Sequence, residues 1–265
     1  MRRRIMMKTT LFKSRKGKTN SIFTLSFAMI EGLVALLILS VLFPSVVHAS
    51  GFQLEPGFSY HEIPQEIRDL MLGKSYQENE YVNFNDLRLC KVKHIGFDGK
   101  THQGELVVSH KAILENGEEI DLAKEVLVIF KELYDAQYPI EKIRLIDHYD
   151  ADDETSMRDN NSSAFNFRYI RGTKKISWHS YGFAIDINPF QNPCFDRNSK
   201  FVEPAGSNDF LDRNLTAIGL IKEGDPCHKA FTSRGWEWGG TWDTPKDYMH
   251  FQKFPWYATK PAAKY

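Results

Sequence analysis

The chain has 265 residues, 42% of them hydrophobic and 13% aromatic, which is enough to bury a core and excludes a disordered polypeptide. Its formal net charge of zero hides an asymmetry: the first 50 residues hold eight Lys or Arg against one acid, Glu31, while the rest of the chain holds 26 basic and 33 acidic residues. A body this acidic excludes nucleic acid as the main partner, because binding phosphates needs a basic footprint.

At the N-terminus, Arg2, Arg3, Arg4, Lys8, Lys13, Arg15, Lys16 and Lys18 precede an apolar stretch at 32–43, and Val47-His48-Ala49 offers small residues where a signal peptidase cuts. Residues 1–49 therefore read as an export signal. The alternative is an anchor left in place, since 21–47 is long enough to span a bilayer despite Glu31. A third reading is that 27–36 resembles the start of a type IV prepilin, although Ser26 stands where that family has glycine. All three put the body outside the cytoplasm, in the periplasm or cell envelope.

Along the body, residues 64–72 predict a short helix stopped by Gly73. Two strands, 87–97 and 104–113, flank the turn signal Asp98-Gly99. Asp121 is placed to cap a helix whose apolar positions Leu122, Val126, Ile129, Leu133 and Tyr134 recur at helical spacing up to Pro139. Residues 142–147 return as a strand. The polar stretch 148–176 reads as a long surface loop containing a short strand near 164–169, and its acids Asp152, Asp153 and Glu154 need no role beyond solvation. Strands and helices alternate irregularly behind a hairpin, so the expected class is α+β: one catalytic domain with a small, mostly antiparallel sheet packed by helices. Its expected limits are 85–258, after an N-terminal extension at 50–84 and before a tail at 259–265.

Three cysteines suit an exported chain. Cys194 and Cys227 lie in the C-terminal half and Cys90 stands apart, so a Cys194–Cys227 disulfide with one free thiol is the simplest arrangement, and three reduced thiols the alternative. No CxxC or Cys-His spacing suggests a structural zinc site.

The segment SWHSYGFAIDIN, residues 177–188, places His179 and Asp186 around Gly182 in an otherwise apolar run. In a strand beginning near Phe183, Ala184, Asp186 and Asn188 face one way and Ile185 and Ile187 the other, so Asp186 points away from the core-facing isoleucines. Two such residues need a third before a metal is worth considering, and WEWGGTWDTPKDYMHFQ, residues 236–252, supplies it. Asp247 and His250 are three apart, which in a helical turn puts both on one face. Zinc catalysis wants three His or carboxylate ligands, an open fourth position and a nearby carboxylate that is not a ligand. His179, Asp186 and His250 fill the first requirement and Asp247 the last.

These residues also carry a resemblance. S-x-H-x-x-G-x-A-x-D from Ser177 to Asp186, then W-G-G-x-W from Trp238 to Trp242 and D-x-x-H-F from Asp247 to Phe251, resembles the zinc D-alanyl-D-alanine carboxypeptidases, cell-wall peptidases that share a fold with the hedgehog signalling domain. The likeness extends through Asn160–Arg168, Asn188-Pro189 and Asn192-Pro193. It implies one zinc per chain at His179, Asp186 and His250, with Asp247 as general base. It further implies an arginine that binds the substrate carbonyl or carboxylate and steadies the oxyanion. Arg168, at the end of the Asn-rich motif, is preferred over Arg158 for that role. Ser177 is expected to bind substrate or to hydrogen-bond behind the metal ligands, and Trp238 or Trp242 to wall a substrate groove. Trp178, Trp236 and Trp256, the remaining tryptophans, are expected to be scaffold. Gly239-Gly240 gives either close backbone approach or a plain turn. The activity implied is hydrolysis of peptidoglycan stem peptides by a monomer, with 21–47 as a membrane tether if it is not cleaved. A D-Ala-D-Ala carboxypeptidase, an endopeptidase cutting a bond such as L-Ala-D-Glu, and a non-catalytic zinc-containing binding domain remain open.

Overall fold

The computed structural model describes residues 51–254; the segment 1–49, expected to be an export signal or anchor, Trp256 and the tail at 259–265 lie outside them. Among the described residues no helix is long and apolar enough to cross a membrane.

The centre of the fold is an antiparallel sheet of four strands in the order β1 (Gly51–Glu55), β2 (Phe58–His61), β3 (Leu87–Ile95) and β4 (Thr101–Ser109). The β3–β4 hairpin turns at Asp98-Gly99 as the sequence predicts, with Gly99 at a φ of 74°. Side chains on a strand alternate between faces, and here both faces are buried. Cys90, Val92, Leu106 and Val108 enter one core, and Leu87, Leu89 and Val107 a second, smaller one. Helix α2 (Leu122–Asp135) covers the first face. Asp121 caps it by accepting the Lys124 N–H, and Leu122, Val126, Ile129, Phe130 and Leu133 are buried along it. Helix α1 (Gln65–Met71) packs its apolar side into the second core. The segment at 50–84, expected to be an extension ahead of the domain, is thus built into it: β1 and β2 complete the sheet, and Phe58, Ile63, Met71, Tyr76 and Val82 are all buried.

Several other expectations change at the level of elements. The strand expected at 104–113 ends at Ser109, whose N–H turns aside to the carbonyl of Gly182; β5 (Lys111–Ile113) then pairs with β6 (Glu119–Asp121) as a separate ribbon. The strand expected at 142–147 shrinks to β7 (Lys142–Ile143), paired in parallel with β8 (Asn161–Ser162). Asp147 lies instead in a 3-10 turn, buried against the Ser75 N–H. The loop at 148–176 contains helix α3 (Asp153–Arg158), capped by Asp152. The strand expected at 164–169 is an extended thread without a continuous partner: Phe165 N–H bonds Val107, Asn166 N–H bonds His179, and Phe167 N–H bonds Ser75.

Two small antiparallel sheets complete the domain. One runs β12 (Glu237–Trp238), β14 (His250–Gln252), β9 (Ala184–Asp186); the other runs β11 (Phe201–Glu203), β10 (Cys194–Asp196), β13 (Lys246–Asp247). Helix α4 (Pro226–Thr232) buries Phe231, which stacks on Phe251 with ring centroids 4.1 Å apart. With four helices among the described residues and mostly antiparallel sheets, the α+β class is borne out.

Candidate metal centre

Ser177 opens the 3-10 turn Trp178–Tyr181 by accepting the His179 N–H at 3.3 Å. Gly182 closes it at a φ of 72°, and a Cβ there would lie 2.5 Å from the Ser109 nitrogen, so only glycine fits between this turn and the central sheet. The turn aims the His179 ring at β9, where Asp186 is tied to Ser163 by backbone bonds in both directions. Across β9, directly opposite Asp186, stands His250 on β14.

The three side chains converge. His179 Nε2 lies 3.1 Å from His250 Nδ1 and 3.2 Å from Asp186 Oδ2, and His250 Nδ1 lies 3.0 Å from Asp186 Oδ1. All three residues are buried. The outer nitrogens are committed elsewhere: His179 Nδ1 donates to the Ala164 carbonyl at 2.5 Å, and His250 Nε2 faces Gln252 Oε1 at 3.0 Å. A carbonyl oxygen only accepts, so each outer nitrogen carries the proton and each inner one a lone pair. Two lone pairs and a carboxylate then point at one place, an arrangement stable only around a cation. Their spacing is close to the ~3.3 Å edge of a tetrahedron with ~2.0–2.1 Å bonds, and two imidazoles with one carboxylate is a donor set that suits zinc. The residues therefore fit a zinc ion.

Electrostatics say the same of the metal-free pocket. Burial works to raise the Asp186 carboxyl, but the charges and hydrogen bonds of His179 and His250 outweigh it and hold it well below the usual carboxylate range. Burial works to lower His250, yet its hydrogen bond to Asp186 and the charges of Asp186 and Asp247 raise it to about 9. In the metal-free pocket the neighbouring carboxyls thus favour the protonated form of His250.

Asp247 reaches this centre by a different route from the helical turn expected. No helix joins it to His250: Asp247 ends β13, opposite Cys194, and His250 begins β14, opposite Asp186. Each residue is drawn into a different sheet, so the intervening Tyr248 and Met249 cross between sheets, with the Tyr248 N–H on the Pro193 carbonyl. Asp247 Oδ1 is buried and has no hydrogen-bond partner. Burial pushes this carboxyl up to about 7; His250 and Arg168 work against the rise, and Asp186 and Glu203 add to it.

Gly239 and Gly240 serve close approach. A Cβ on Gly239 would lie 2.6 Å from the Asp247 carbonyl oxygen, and one on Gly240 2.3 Å from the Trp238 ring. Trp238 is scaffold, not a groove wall: it is buried against Phe251 and spends its indole N–H on the Tyr248 carbonyl. Trp242, partly exposed, is the tryptophan beside the centre, its ring centroid 5.5 Å from that of His250.

Arg168 is fastened to the ligand turn. Its N–H donates to Ser180 Oγ, and its carbonyl accepts from Ser180 Oγ and from the Ser177 N–H. Its guanidinium, one-third exposed, pairs with Asp153 and is close enough to Asp247 to lower that carboxyl. Arg158 is exposed in the last turn of α3, and it is Asp153 at the start of that helix that faces Arg168. Ser177 is buried as the cap of the ligand turn, with its hydroxyl oxygen accepting the His179 N–H.

The expected disulfide is absent. Cys90 and Cys227 are buried in the main core, while Cys194 is partly buried on β10 opposite Asp247, and all three are free thiols. Their shared place in the C-terminal half predicts a pair, but α4 turns Cys227 inward and β10 turns Cys194 toward Asp247 and Glu203. Burial first, then the charge of Asp247, pushes the Cys194 thiol well up. The sequence reading also missed Gln252, Glu237, Asp153 and the Ala164 carbonyl. Gln252 had a signal, since it stands two residues beyond His250 on what proves to be a strand; a backbone carbonyl has none.

Comparison with curated proteins and with solved structures finds no match. A protein-family model described as D-alanyl-D-alanine carboxypeptidase matches residues 171–253, which include His179, Asp186, Asp247 and His250 but stop short of Arg168. Over the segment that builds the metal centre, the chain thus carries the sequence pattern of that peptidase family.

Proposed function

We propose that the protein is a zinc-dependent peptidase that hydrolyses an amide bond in the stem peptides of peptidoglycan, acting as a D-Ala-D-Ala carboxypeptidase. The observation that carries this reading is the pairing of a three-ligand centre with a buried, unpartnered carboxyl oxygen on Asp247. A structural site has no use for that oxygen, whereas hydrolysis needs a base within reach of the attacking water.

His179, Asp186 and His250 would hold the metal, which when bound supplies Lewis-acid polarisation of the scissile carbonyl and a water of lowered pKa. Asp247 takes the proton of the attacking water and returns it to the leaving amine as the C–N bond breaks. Its raised pKa suits both halves of that task. Arg168, held beside Asp247 by Ser177, Ser180 and Asp153, steadies the negative charge that develops on the carbonyl oxygen or receives the C-terminal carboxylate of the substrate. Trp242 flanks His250 on one side of the centre. Residues 1–49, read as an export signal or anchor, would deliver the body to the compartment where this substrate lies.

The test is Asp247→Asn. Zinc content should stay near that of the unaltered protein while turnover falls by roughly 10²–10⁴. His250→Ala should lose metal and activity together. Assays on a dipeptide-terminated stem peptide and on intact peptidoglycan separate free D-Ala, the carboxypeptidase product, from larger fragments, the endopeptidase product. An unaltered protein that holds zinc but cleaves neither substrate would leave a binding domain as the surviving reading.

A further inference from the structure

His250 must present Nδ1, not Nε2, to the metal centre, and nothing in an isolated imidazole selects that tautomer. We propose that Glu237 and Gln252 form a relay that selects it, making Glu237 a positioning residue for a metal ligand it does not touch. The inference rests on the metal reading of the site.

The relay follows from strand geometry. His250 and Gln252 are two apart on β14 and so share a face. Gln252 stands directly opposite Glu237 on β12 and opposite Ala184 on β9. Ala184 offers no polar side chain, so the buried Gln252 amide has one cross-strand polar partner, Glu237, and one along its own strand, His250. An ionised carboxylate only accepts. Gln252 therefore turns its amide nitrogen to Glu237, with Nε2 2.7 Å from Oε2. Its amide oxygen is left facing His250 Nε2 at 3.0 Å, which fixes the proton on Nε2 and the lone pair on Nδ1.

Reversing the amide shows what the relay prevents. Gln252 would then donate to His250 Nε2, and the ring proton would move to Nδ1, pointing at His179 Nε2 and Asp186 where the cation belongs. It would also set two oxygens, from Gln252 and Glu237, against each other in a partly buried position, an arrangement that costs more than the bond it replaces.

The experiment measures the zinc dissociation constant by competition with a chromophoric chelator, for the unaltered protein, Gln252→Ala, Gln252→Glu, Glu237→Gln, and the double variant Glu237→Gln with Gln252→Glu. Gln252→Ala should weaken zinc about 10–100-fold, the usual worth of a partner that orients a ligand. Gln252→Glu sets two carboxylates opposite each other, and Glu237→Gln frees the amide to turn, so both should weaken zinc. The double variant should recover most of the affinity: it restores one donor and one acceptor across the strands and keeps an acceptor against His250. A purely packing role for these side chains would not produce that rescue. If the unaltered protein binds zinc and the single variants match it within twofold, or if the double variant is no better than the singles, the relay is overturned while the metal centre stands. If the unaltered protein binds no zinc, the centre and the relay fall together.

Discussion

His250 and Asp247 give the metal-free pocket a pH dependence whose direction can be worked out. Both have raised pKa values, about 9 against an ordinary 6.5 for His250 and about 7 against 3.8 for Asp247. Within each interval the folded chain binds a proton that the unfolded chain has released, so the stability it contributes is full below the interval and is lost as pH rises through it. Asp186 works the other way: its carboxyl is lowered, so its contribution is present above the ordinary carboxylate range and disappears in acid. Metal-free protein should therefore melt at progressively lower temperature as pH is raised from about 5 to about 9. Zinc should reverse the trend, because it takes the place of the bound proton and its stabilisation grows as that proton becomes easier to displace. Thermal scans with and without zinc across this range check both signs, and a flat metal-free profile would contradict the proton-filled pocket. At this scale much of the centre was legible. His179 and Asp186 announce themselves because polar groups in an apolar run need a reason to be there, and Asp247 and His250 by their spacing of three. Glu237 and Gln252 did not, since a polar residue on a short strand looks like solvated edge until its partner is known.

Elements were read less well than residues, and Asp247 shows why. A spacing of three suggests a helical turn, but two short strands in different sheets also bring the pair to one centre, and local spacing does not distinguish a turn from a crossing. What decides is pairing with remote segments: Cys194 recruits one residue and Asp186 the other. In sequence the glycine pair at 239–240 fits a turn or a close approach equally for the same reason, because its neighbour Asp247 is named only by the fold. Gly239→Ala should accordingly act on chemistry before metal binding. Its Cβ would meet the Asp247 carbonyl oxygen at 2.6 Å and the Asp247 Cβ at 2.9 Å, both too close to accept, and β13 would have to move. A displacement of the base by about 1 Å costs on the order of 10²-fold in turnover. Zinc content, set by residues on β9, β14 and the 3-10 turn, should hold. Parallel measurement of kcat and bound zinc checks this, and an alanine variant with unchanged kcat would remove Asp247 from the role of base or show β13 to be far softer than its pairing implies.

The whole molecule depends on a part that the sequence motifs do not reach. The motifs begin near residue 160, and the domain limit placed at 85 by reading outward from them leaves out residues that the structure buries deeply: Phe58 and Tyr60 on β2, then Ile63, Met71, Tyr76 and Val82. The reason the limit is misplaced is physical. β2 is short and partly polar, so it looks like connecting chain, yet it pairs with β3 at Ser59, Tyr60 and His61 and lies inside the central sheet, between β1 and β3. The second core, which lies under the thread leading to Arg168, draws four of its nine buried members from this region. Burying each such side chain is worth about 1.5–3 kcal/mol. Six of them together amount to roughly 9–18 kcal/mol, the size of the entire stability of an ordinary domain, about 5–15 kcal/mol. A chain starting at residue 85 should therefore fail to fold, showing no cooperative melting transition and no stoichiometric zinc, whereas a chain starting at Gly51 should show both. The comparison also bears on the site, because Ser75 accepts the N–H of Phe167 next to Arg168, and Tyr76 stacks within 6.3 Å of Phe165 on the same thread. A chain from residue 85 that melted cooperatively and bound one zinc would show that the motif-bearing half folds by itself, and the assignment of the N-terminal strands and helix to the domain would then have to be given up.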